Sequence, residues 1–527
     1  MTAPAANLTL HQVVEHWSIH TPDALALQFE RGDYQGRRFS WRDLNILRQQ
    51  YAHWLDGNDI IQGDNVAVLL DDSPGCHCTL YALMTLGITI VPIDTSWGAQ
   101  VIDNIFNQAR VQCVIGSPHT AAHYDETNIH RITWPDTPDI EASPLYQHDH
   151  SSPEQRVFIA FTSGTTAAPK GVPIRHHQIR AAYRRGTEQL GLSSSNPVRT
   201  GCSFRLSGLG VLGIHYLFAN EFGSCSVVLP ELTPVTSKQY WAFIREHRIG
   251  FWYLVPTLVR LLNHFADNRH ALTTPSSCLC VTAAGPITQQ DFEQFQDKFQ
   301  HPLLNIYGLT ELCFAVLFGD WSTKQRGAFT IGKANGLPVQ LRNSAGDIIT
   351  TPETMGELFI QGPMLVDGYY HNPEATADIF PDGWLKTGDL AWYDGTSRIH
   401  IKGRVKDVVI RGGFNIHLAE IDEVTASHPD ILDACSFSLN DVSAQQNMHG
   451  HPTDTLFQHQ NEHYAVLVSI SQQAQISEAL IKDWISQQAG QYKVPARVFF
   501  TYDPLPRNGA GKLVRREAHT VALQTAV

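Results

Sequence analysis

Phe161 to Val172 reads FTSGTTAAPKGV, a run in which Thr162, Ser163, Gly164, Thr165 and Thr166 gather hydroxyls and backbone N–H groups ahead of Lys170. A loop of this composition can wrap polyphosphate oxygens. Glycine admits close backbone approach, successive N–H groups form an anion-binding concavity, and the lysine adds a point charge. It is not a Walker A loop, because Gly171 rather than Ser or Thr follows Lys170 and the glycine spacing differs. Taken alone, the run also reads as a Ser/Thr-rich surface loop. The strand-like segment Arg156 to Phe161 (RVFIAF) leads directly into it. A strand–loop–helix order is expected here, since loops at the carboxyl ends of strands line the crevice of an α/β sheet.

The chain that must position this loop has 527 residues, enough for more than one domain, since single cores stop growing at roughly 250–300 residues. Hydrophobic residues make up 43%, ample for a large core, and the formal charge of −13 argues against nucleic acid or an anionic membrane as partner. The longest apolar stretch, Tyr81 to Ile93, is too short and interrupted to span a bilayer. Met1 to Leu10 lacks a basic and an apolar region of the secretory kind. The nine cysteines are therefore expected to be reduced core or near-core residues of a cytoplasmic protein. Cys76/Cys78 and Cys278/Cys280 have a spacing that suits alternate sides of a strand better than a zinc knuckle. The 26 histidines are scattered without HExxH spacing, and no dedicated histidine metal site is expected.

Val66–Leu70 and Ile88–Ile93 read as buried strands with the helix-like run Cys78–Leu86 between them, and Val111–Ile115 as another strand. This alternation predicts an α/β fold with parallel sheet. Met355–Gly362 and Arg398–Gly403 read as strands of a later β-rich region, followed by a smaller α+β unit. Asp441–Glu462, rich in Gln, His and Asn, reads as a long exposed loop.

In order, the chain carries FSWRDL (39–44), GITIVPID (87–94), the phosphate loop, VPTLVRLL (255–262), NIYGLTE (305–311), GELFIQGP (356–363), GYYHNPEAT (368–376), GWLKTGDLAWYD (383–394), GRVKDVVIRGGFNIHLAEID (403–422) and PRNGAGKLVRRE (506–517). In this order and spacing the set resembles the adenylate-forming superfamily of acyl-CoA synthetases, peptide-synthetase adenylation domains and luciferases, over nearly the whole chain. The resemblance implies a large N-terminal domain, 1–404, of parallel and mixed sheets with helices plus a β-rich subdomain. A small mobile α+β domain, 405–527, would follow a hinge near Lys406.

What the resemblance implies for chemistry follows motif by motif. A carboxylate attacking the α-phosphate of ATP drives negative charge onto phosphate oxygens, so fixed donors, cations and Mg²⁺ matter more than an acid or base. Lys170 would supply one such charge. Tyr307 would stack on adenine beside Asn305 and Gly308, against the small-residue segment Ala283, Ala284, Gly285, Pro286. Thr310 would reach phosphate oxygen, and Glu311 would hold Mg²⁺, a hard cation suited to carboxylate. Asp389 would accept from both ribose hydroxyls, with Arg404 beside it. Lys512 would bridge the substrate carboxylate and the α-phosphate in one pose of the small domain. In the other pose Arg411, Gly412 and Gly413 would face the acyl-adenylate and let a pantetheine thiol approach. As local sequence, these segments also read as turns, a helix start and solvated surface cations.

Cys202–Gly208 (CSFRLSG) aligns with the family's aromatic–histidine segment facing the acyl site, with Arg205 in the histidine's place. Phe204, Gly208, Leu209 and Leu309 would line that site, and the glycines of Leu206–Phe218 would leave room for a chain or ring. A buried guanidinium needs a partner. Arg205 is thus expected either to pair within the chain, to turn outward as a gate, or to read a second polar group on the acid. Relatives that activate amino acids have an aspartate near Phe204, and Arg205 would repel an ammonium there. The implied reaction is ATP-dependent conversion of a small carboxylic acid to acyl-AMP and then a thioester with CoA. Other members load the phosphopantetheine of an acyl carrier protein or close a β-lactone, and an inactive adenylate-binding homologue would be expected to lose Lys512, Glu311 or Asp389 first.

Overall fold

Apolar, β-branched runs become the buried strands of two sheets. The chain is described by a computed structural model over residues 3–121, 129–135, 140, 142–162, 169–267, 278–285, 287–319, 330–411, 414–439, 463–474, 476–507 and 513–525. By packing it falls into two compact units. The first comprises Met1–Ala284, Asp291–Leu337 and Gln361–Leu385, and the second comprises Gly285–Gln290, Pro338–Ile360 and Lys386–Val527. This grouping does not coincide with the boundary expected at 404/405, which concerns where the chain hinges.

In the first unit a six-stranded sheet runs, in spatial order, His130–Thr133, Cys113–Gly116, Asn65–Leu69, Thr89–Ile93, Arg156–Thr162 and Lys170–Arg175. All neighbouring pairs are parallel except the last. Asn65–Leu69 and Thr89–Ile93 are buried at every position, as strands covered on both faces must be. The helix between them, Pro74–Thr85, starts where Ser73 accepts from the Cys76 N–H at 3.1 Å and Pro74 takes the first helical position. Cys76 and Cys78 therefore lie on a helix rather than a strand; both are buried because that helix is buried on every face. All nine cysteines are free and buried.

The segment after the phosphate loop corrects a second expectation. Lys170–Arg175 is a strand antiparallel to Arg156–Thr162, and the helix His176–Leu190 begins only after it. Val172 and Ile174 are buried in alternation, a period that a strand satisfies and a helix does not. The segment that follows the loop is thus the second strand of an antiparallel pair, and not a helix.

An eight-stranded sheet completes this unit, in the order Phe314–Phe318, Leu303–Leu309, Leu279–Thr282, Ile249–Leu254, Arg199–Cys202, Ser226–Val228, Leu25–Phe29 and Arg38–Ser40. Its interior pairs are parallel and both edge strands are antiparallel.

The second unit holds a five-stranded sheet in the order Ile348–Ile349, Val339–Arg342, Gly356–Ile360, Leu385–Tyr393, Ile399–Arg404. It also holds the hairpin Val408–Arg411/Phe414–His417 and a three-stranded sheet of Ile431–Ser438, Tyr464–Ile470 and Arg497–Thr501. Helices Leu418–Ala426 and Glu478–Ala489 bury Ile421, Ile481 and Ile485 against Val466 and Val468. The polar segment Asp441–Glu462 lies outside the described residues.

Candidate active site

The strand Leu303–Leu309 turns its odd positions Asn305 and Tyr307 to one partly exposed side and buries Leu304 and Ile306 on the other. Its pairing with Phe314–Phe318 slips between Tyr307 and Gly308. A Cβ on Gly308 would lie 2.2 Å from the Phe314 carbonyl oxygen and 2.6 Å from the Ala315 Cα, so glycine is dictated by backbone approach. The chain then makes a tight turn, Thr310–Leu312, with Cys313 in the left-handed region at φ 61°. That turn places Glu311 with a nearly buried side chain.

Glu311 is held from outside its own motif. The Tyr369 hydroxyl donates to Glu311 Oε1 at 2.7 Å, and the Val366 N–H donates to the Glu311 carbonyl at 3.1 Å. The Lys170 ammonium stands 4.9 Å from the centroid of the same Tyr369 ring. A backbone bond from the Tyr370 N–H to the Gly171 carbonyl, 2.8 Å, stitches this segment to the strand that follows the phosphate loop. The Tyr369 N–H is fixed in turn by Thr376 Oγ1 at 2.9 Å. Lys170, Tyr369 and Glu311 therefore form one cluster, with a cation and a carboxylate about a single ring. Sequence reasoning had placed Lys170 and Glu311 but given no role to Tyr369. Its signal was present in the doublet of GYYHNPEAT, yet the contact joins residues far apart in the chain.

The Glu311 carboxylate has no salt-bridge partner among the described residues. Its one hydrogen bond is to a neutral hydroxyl on Oε1, which leaves Oε2 as a hard oxygen donor. That donor set fits a hard divalent cation. After the strand Leu279–Thr282, Ala284 is exposed and takes a left-handed φ of 68°, an unusual conformation for a residue with a Cβ.

Around Phe204 the arrangement rests on a pair not foreseen from sequence. Arg31 bridges Asp72 at 2.7 Å and donates to the carbonyls of Phe204 and Leu229, while Asp72 accepts from the Leu206 N–H at 3.0 Å. The Phe204 ring lies 5.8 Å from that of His215 and 5.6 Å from that of Tyr253. Gly208 has open space where a Cβ would stand, and it begins a continuous helical run. That run is α-helical over Leu209–Val211, π-helical over Leu212–Leu217 and α-helical again over Phe218–Glu221. His215 is fully buried, neither ring nitrogen has a hydrogen-bond partner among the described residues, and burial followed by the Arg31 charge pushes its pKa down to about 3. His77, 4.3 Å from the Tyr216 ring, is pushed down to about 3 by the same causes in the same order.

Of the states expected for Arg205, the structure holds pairing within the chain. Its Nε donates to Glu231 Oε1 at 2.6 Å, and the side chain is 78% exposed. The hydrogen bond and charge of Glu231 raise its pKa. Arg205 is thus an outward-facing ion pair rather than a buried guanidinium awaiting a ligand.

In the second unit, Asp389 and Arg404 are cross-strand partners, with Arg404 Nε 3.2 Å from Asp389 Oδ1. The Asp389 N–H donates to Thr387 Oγ1, whose hydroxyl donates to the Leu358 carbonyl at 2.7 Å, so the carboxylate stands on a fixed backbone. Lys406 follows on a short turn, its pKa lowered by burial and then by Arg404. The Arg411 guanidinium donates to the carbonyls of Val494 at 2.6 Å and Tyr492 at 3.3 Å and lies over the Tyr464 ring. Ser163, Gly164, Thr165, Thr166, Pro286, Gly412, Gly413 and Lys512 lie outside the described residues, and of Thr162 only the backbone is described.

Comparison with known proteins extends these observations. Residues 14–370 match the family model described as AMP-binding enzyme. The chain is 25% identical over 493 residues to a long-chain-fatty-acid–CoA ligase, FadD13, of Mycobacterium tuberculosis, covering 91% of this chain and 92% of that protein. It is also 25% identical over 463 residues to a 2-succinylbenzoate–CoA ligase of Bacillus cytotoxicus, covering 87% and 88%. Among solved structures, o-succinylbenzoate CoA synthetase from Bacillus subtilis, in complex with its acyl-adenylate intermediate, superposes with a TM-score of 0.80 at 21% identity over 97% of this chain and 98% of that one. The same enzyme with ATP and magnesium ion gives 0.81 at 21% identity, covering 96% and 99%.

Proposed function

Because the chain belongs to the AMP-binding enzyme family, we propose that it is an AMP-forming acid–thiol ligase acting on a small carboxylic acid and coenzyme A. In the first half-reaction a carboxylate oxygen attacks the α-phosphorus of ATP, giving acyl-AMP and pyrophosphate. In the second, the CoA thiol attacks the acyl carbon, giving the thioester, AMP and a proton. The observation that carries this reading is the cluster of Lys170, Tyr369 and Glu311 beside the phosphate-loop hairpin.

Each residue's role follows from its chemistry. Lys170 offsets the charge that accumulates on phosphate oxygen as pyrophosphate leaves. Glu311, oriented by Tyr369, would hold magnesium, which supplies charge neutralisation at the phosphates when bound. Thr310 offers a hydroxyl to the same oxygens. Tyr307 would stack on adenine, with Asn305, Gly308 and the small residues Ala284, Gly285 and Pro286 at its edges. Asp389 and Arg404 would hold the ribose hydroxyls. The fixed Thr387–Leu358 support beneath Asp389 favours that role, since a diol needs a carboxylate that does not swing. Lys512 would bridge carboxylate and α-phosphate, and Arg411, Gly412 and Gly413 would admit the thiol after rotation near Lys406, which makes 405–527 the moving part. Phe204, Gly208, Leu209 and Leu309 would line the acyl site.

The test is pyrophosphate release with ATP and Mg²⁺ across a panel of carboxylic acids. It is followed by supplying the acyl-AMP with CoA, with a holo carrier protein, or with no thiol. Release with at least one acid and transfer to CoA is the expected result. Transfer to the carrier protein alone would move the acceptor from CoA to a protein-bound phosphopantetheine. Absence of release with every acid, despite ATP binding, would refute the enzymatic reading.

A further inference from the structure

The hairpin that carries the phosphate loop has a second cluster of cations at its other end. Arg156 and Arg175 are register partners, six residue steps from Thr162 along the strand, or about 20 Å. They line a pocket of about 450 Å³ together with Asp367, Tyr370, His371 and Asn372, and its wall also includes Tyr369, the residue between Lys170 and Glu311. All of these residues belong to the first unit.

The donors facing this pocket exceed the acceptors that use them. Arg156 Nε donates to Thr89 Oγ1 at 3.3 Å, one Nη2 proton goes to Asn65 Oδ1 at 3.2 Å, and the guanidinium, 4.9 Å from the Tyr370 ring centroid, also hydrogen-bonds the Tyr370 side chain. No carboxylate stands within salt-bridge distance of Arg156 among the described residues, and the nearby Arg175 charge adds to burial in lowering its pKa. A half-buried guanidinium without a carboxylate is costly unless an anion arrives. Arg175 uses Nε on Asp367 at 2.8 Å and Nη1 on the Glu154 carbonyl, which leaves Nη2. The Asn372 carboxamide accepts from the Ala375 N–H through Oδ1, which leaves its NH₂ group, and His371 is held at φ 51° with its ring against Tyr370. The one carboxylate lining the pocket, Asp367, is already shared by Arg175 and Gln178. Asp367 thus matches Arg175, and the Arg156 charge is left without a carboxylate among the described residues.

We infer that this pocket is a second anion site, separate from the phosphate loop, which takes the phosphate group of a small phosphomonoester. Paired guanidinium forks suit a tetrahedral oxyanion. The volume falls in the range of small-molecule sites and exceeds the need of a lone phosphate, and the Tyr370 and His371 rings offer a face for the organic part.

The experiment is isothermal titration of the full chain, without ATP or Mg²⁺ and at constant ionic strength, using inorganic phosphate in one arm and ribose 5-phosphate in the other. Ribose 5-phosphate is expected to bind more tightly than inorganic phosphate. Arg175→Gln should weaken it about tenfold or more, since a charge-assisted contact is lost. Arg175→Lys should fall between the two, because it keeps the charge and loses the fork. Arg156→Gln should also lose binding; Arg175, being half-exposed, provides the variant that keeps the fold. Lys170→Ala should bind as the wild type does. Undiminished binding in Arg175→Gln, loss of binding in Lys170→Ala, or no heat with either probe up to 10 mM (roughly the weakest affinity of interest) would each overturn the assignment. Equal affinity for both probes would overturn the phosphomonoester and leave a free phosphate as the occupant.

Discussion

His215 should make the protein acid-labile by a calculable amount, and replacing it with leucine should remove that lability. The imidazole is fully buried and neither nitrogen is bonded to a described residue, so the folded chain keeps it neutral down to a pKa of about 3, against 6.5 when exposed. Between those values the unfolded chain binds a proton that the folded chain refuses. Stability contributed at this site is therefore full above pH 6.5 and is lost as pH falls from 6.5 towards 3. At pH 5 the gap to the unfolded value is about 1.5 units, which at 1.36 kcal/mol per unit is about 2 kcal/mol. His215→Leu has similar bulk, suits the rings of Phe204 and Tyr253, and deletes two unsatisfied nitrogens. At pH 7 the variant should equal or exceed the wild type by about 1 kcal/mol. The assay is urea unfolding of both proteins at half-unit steps from pH 8 to pH 5, with the difference in stability plotted against pH. The expected plot is flat above pH 6.5 and rises in favour of the variant by about 2 kcal/mol at pH 5. Parallel acid losses in the two proteins would refute the reasoning, because they would mean that His215 has a proton-sharing partner in the folded state. His77 should add a similar increment to both proteins, since its pKa is depressed to the same extent.

Lys512→Ala should slow acyl-AMP formation on the order of 10²–10³-fold while sparing thioester formation from supplied acyl-AMP. Equal loss in both half-reactions, measured separately, would count against its use in one pose alone. Glu311→Gln should raise the Mg²⁺ concentration needed for half-maximal pyrophosphate release without loss of fold. Tyr369→Phe should do the same to a lesser degree, because it removes only the hydroxyl that orients the carboxylate. An unchanged Mg²⁺ titration in both variants would separate Glu311 from the metal. Arg205→Ala should change stability by less than about 1 kcal/mol, as expected for an exposed pair. It should also lower kcat/KM by the same factor for a monocarboxylic acid and its dicarboxylic analogue; selective loss of the dicarboxylic substrate would show that Arg205 leaves Glu231 to read the acid.

Much of the first unit was legible because its strands are short, apolar and bounded by turns. Val66–Leu70, Ile88–Ile93 and Arg156–Phe161 appear within a residue or two as Asn65–Leu69, Thr89–Ile93 and Arg156–Thr162. Two misreadings came from local signals given too little weight. Ser73 followed by Pro74 is a helix start, and it puts Cys76 and Cys78 on a helix. Val172 and Ile174 alternate with the less buried Pro173 and Arg175, which announces a strand where a helix was expected. The candidate site divides along the same line. Gly308 and Glu311 stand out in NIYGLTE by residue type, although the contacts that hold them come from Phe314, Ala315, Val366 and Tyr369 outside that motif. The Tyr369–Glu311 bond, the Arg205–Glu231 pair and the Arg31–Asp72 pair under Phe204 each join separated segments, so only the folded chain reveals them.

The π-helical stretch Leu212–Leu217 has a consequence for how the surroundings of Phe204 can be redesigned. A π turn holds one residue more than an α turn, so removing one residue from Leu212–Leu217 lets the run close up as a regular α-helix. The wide turn takes up that extra residue within itself, so the deletion leaves the segments before and after it facing as they did. Leu209–Val211 and the buried Phe218–Glu221 would therefore keep the sides they now present. A one-codon deletion would thereby remove the widened turn that carries His215 while leaving the rest of the run in register, a change that point substitution cannot make.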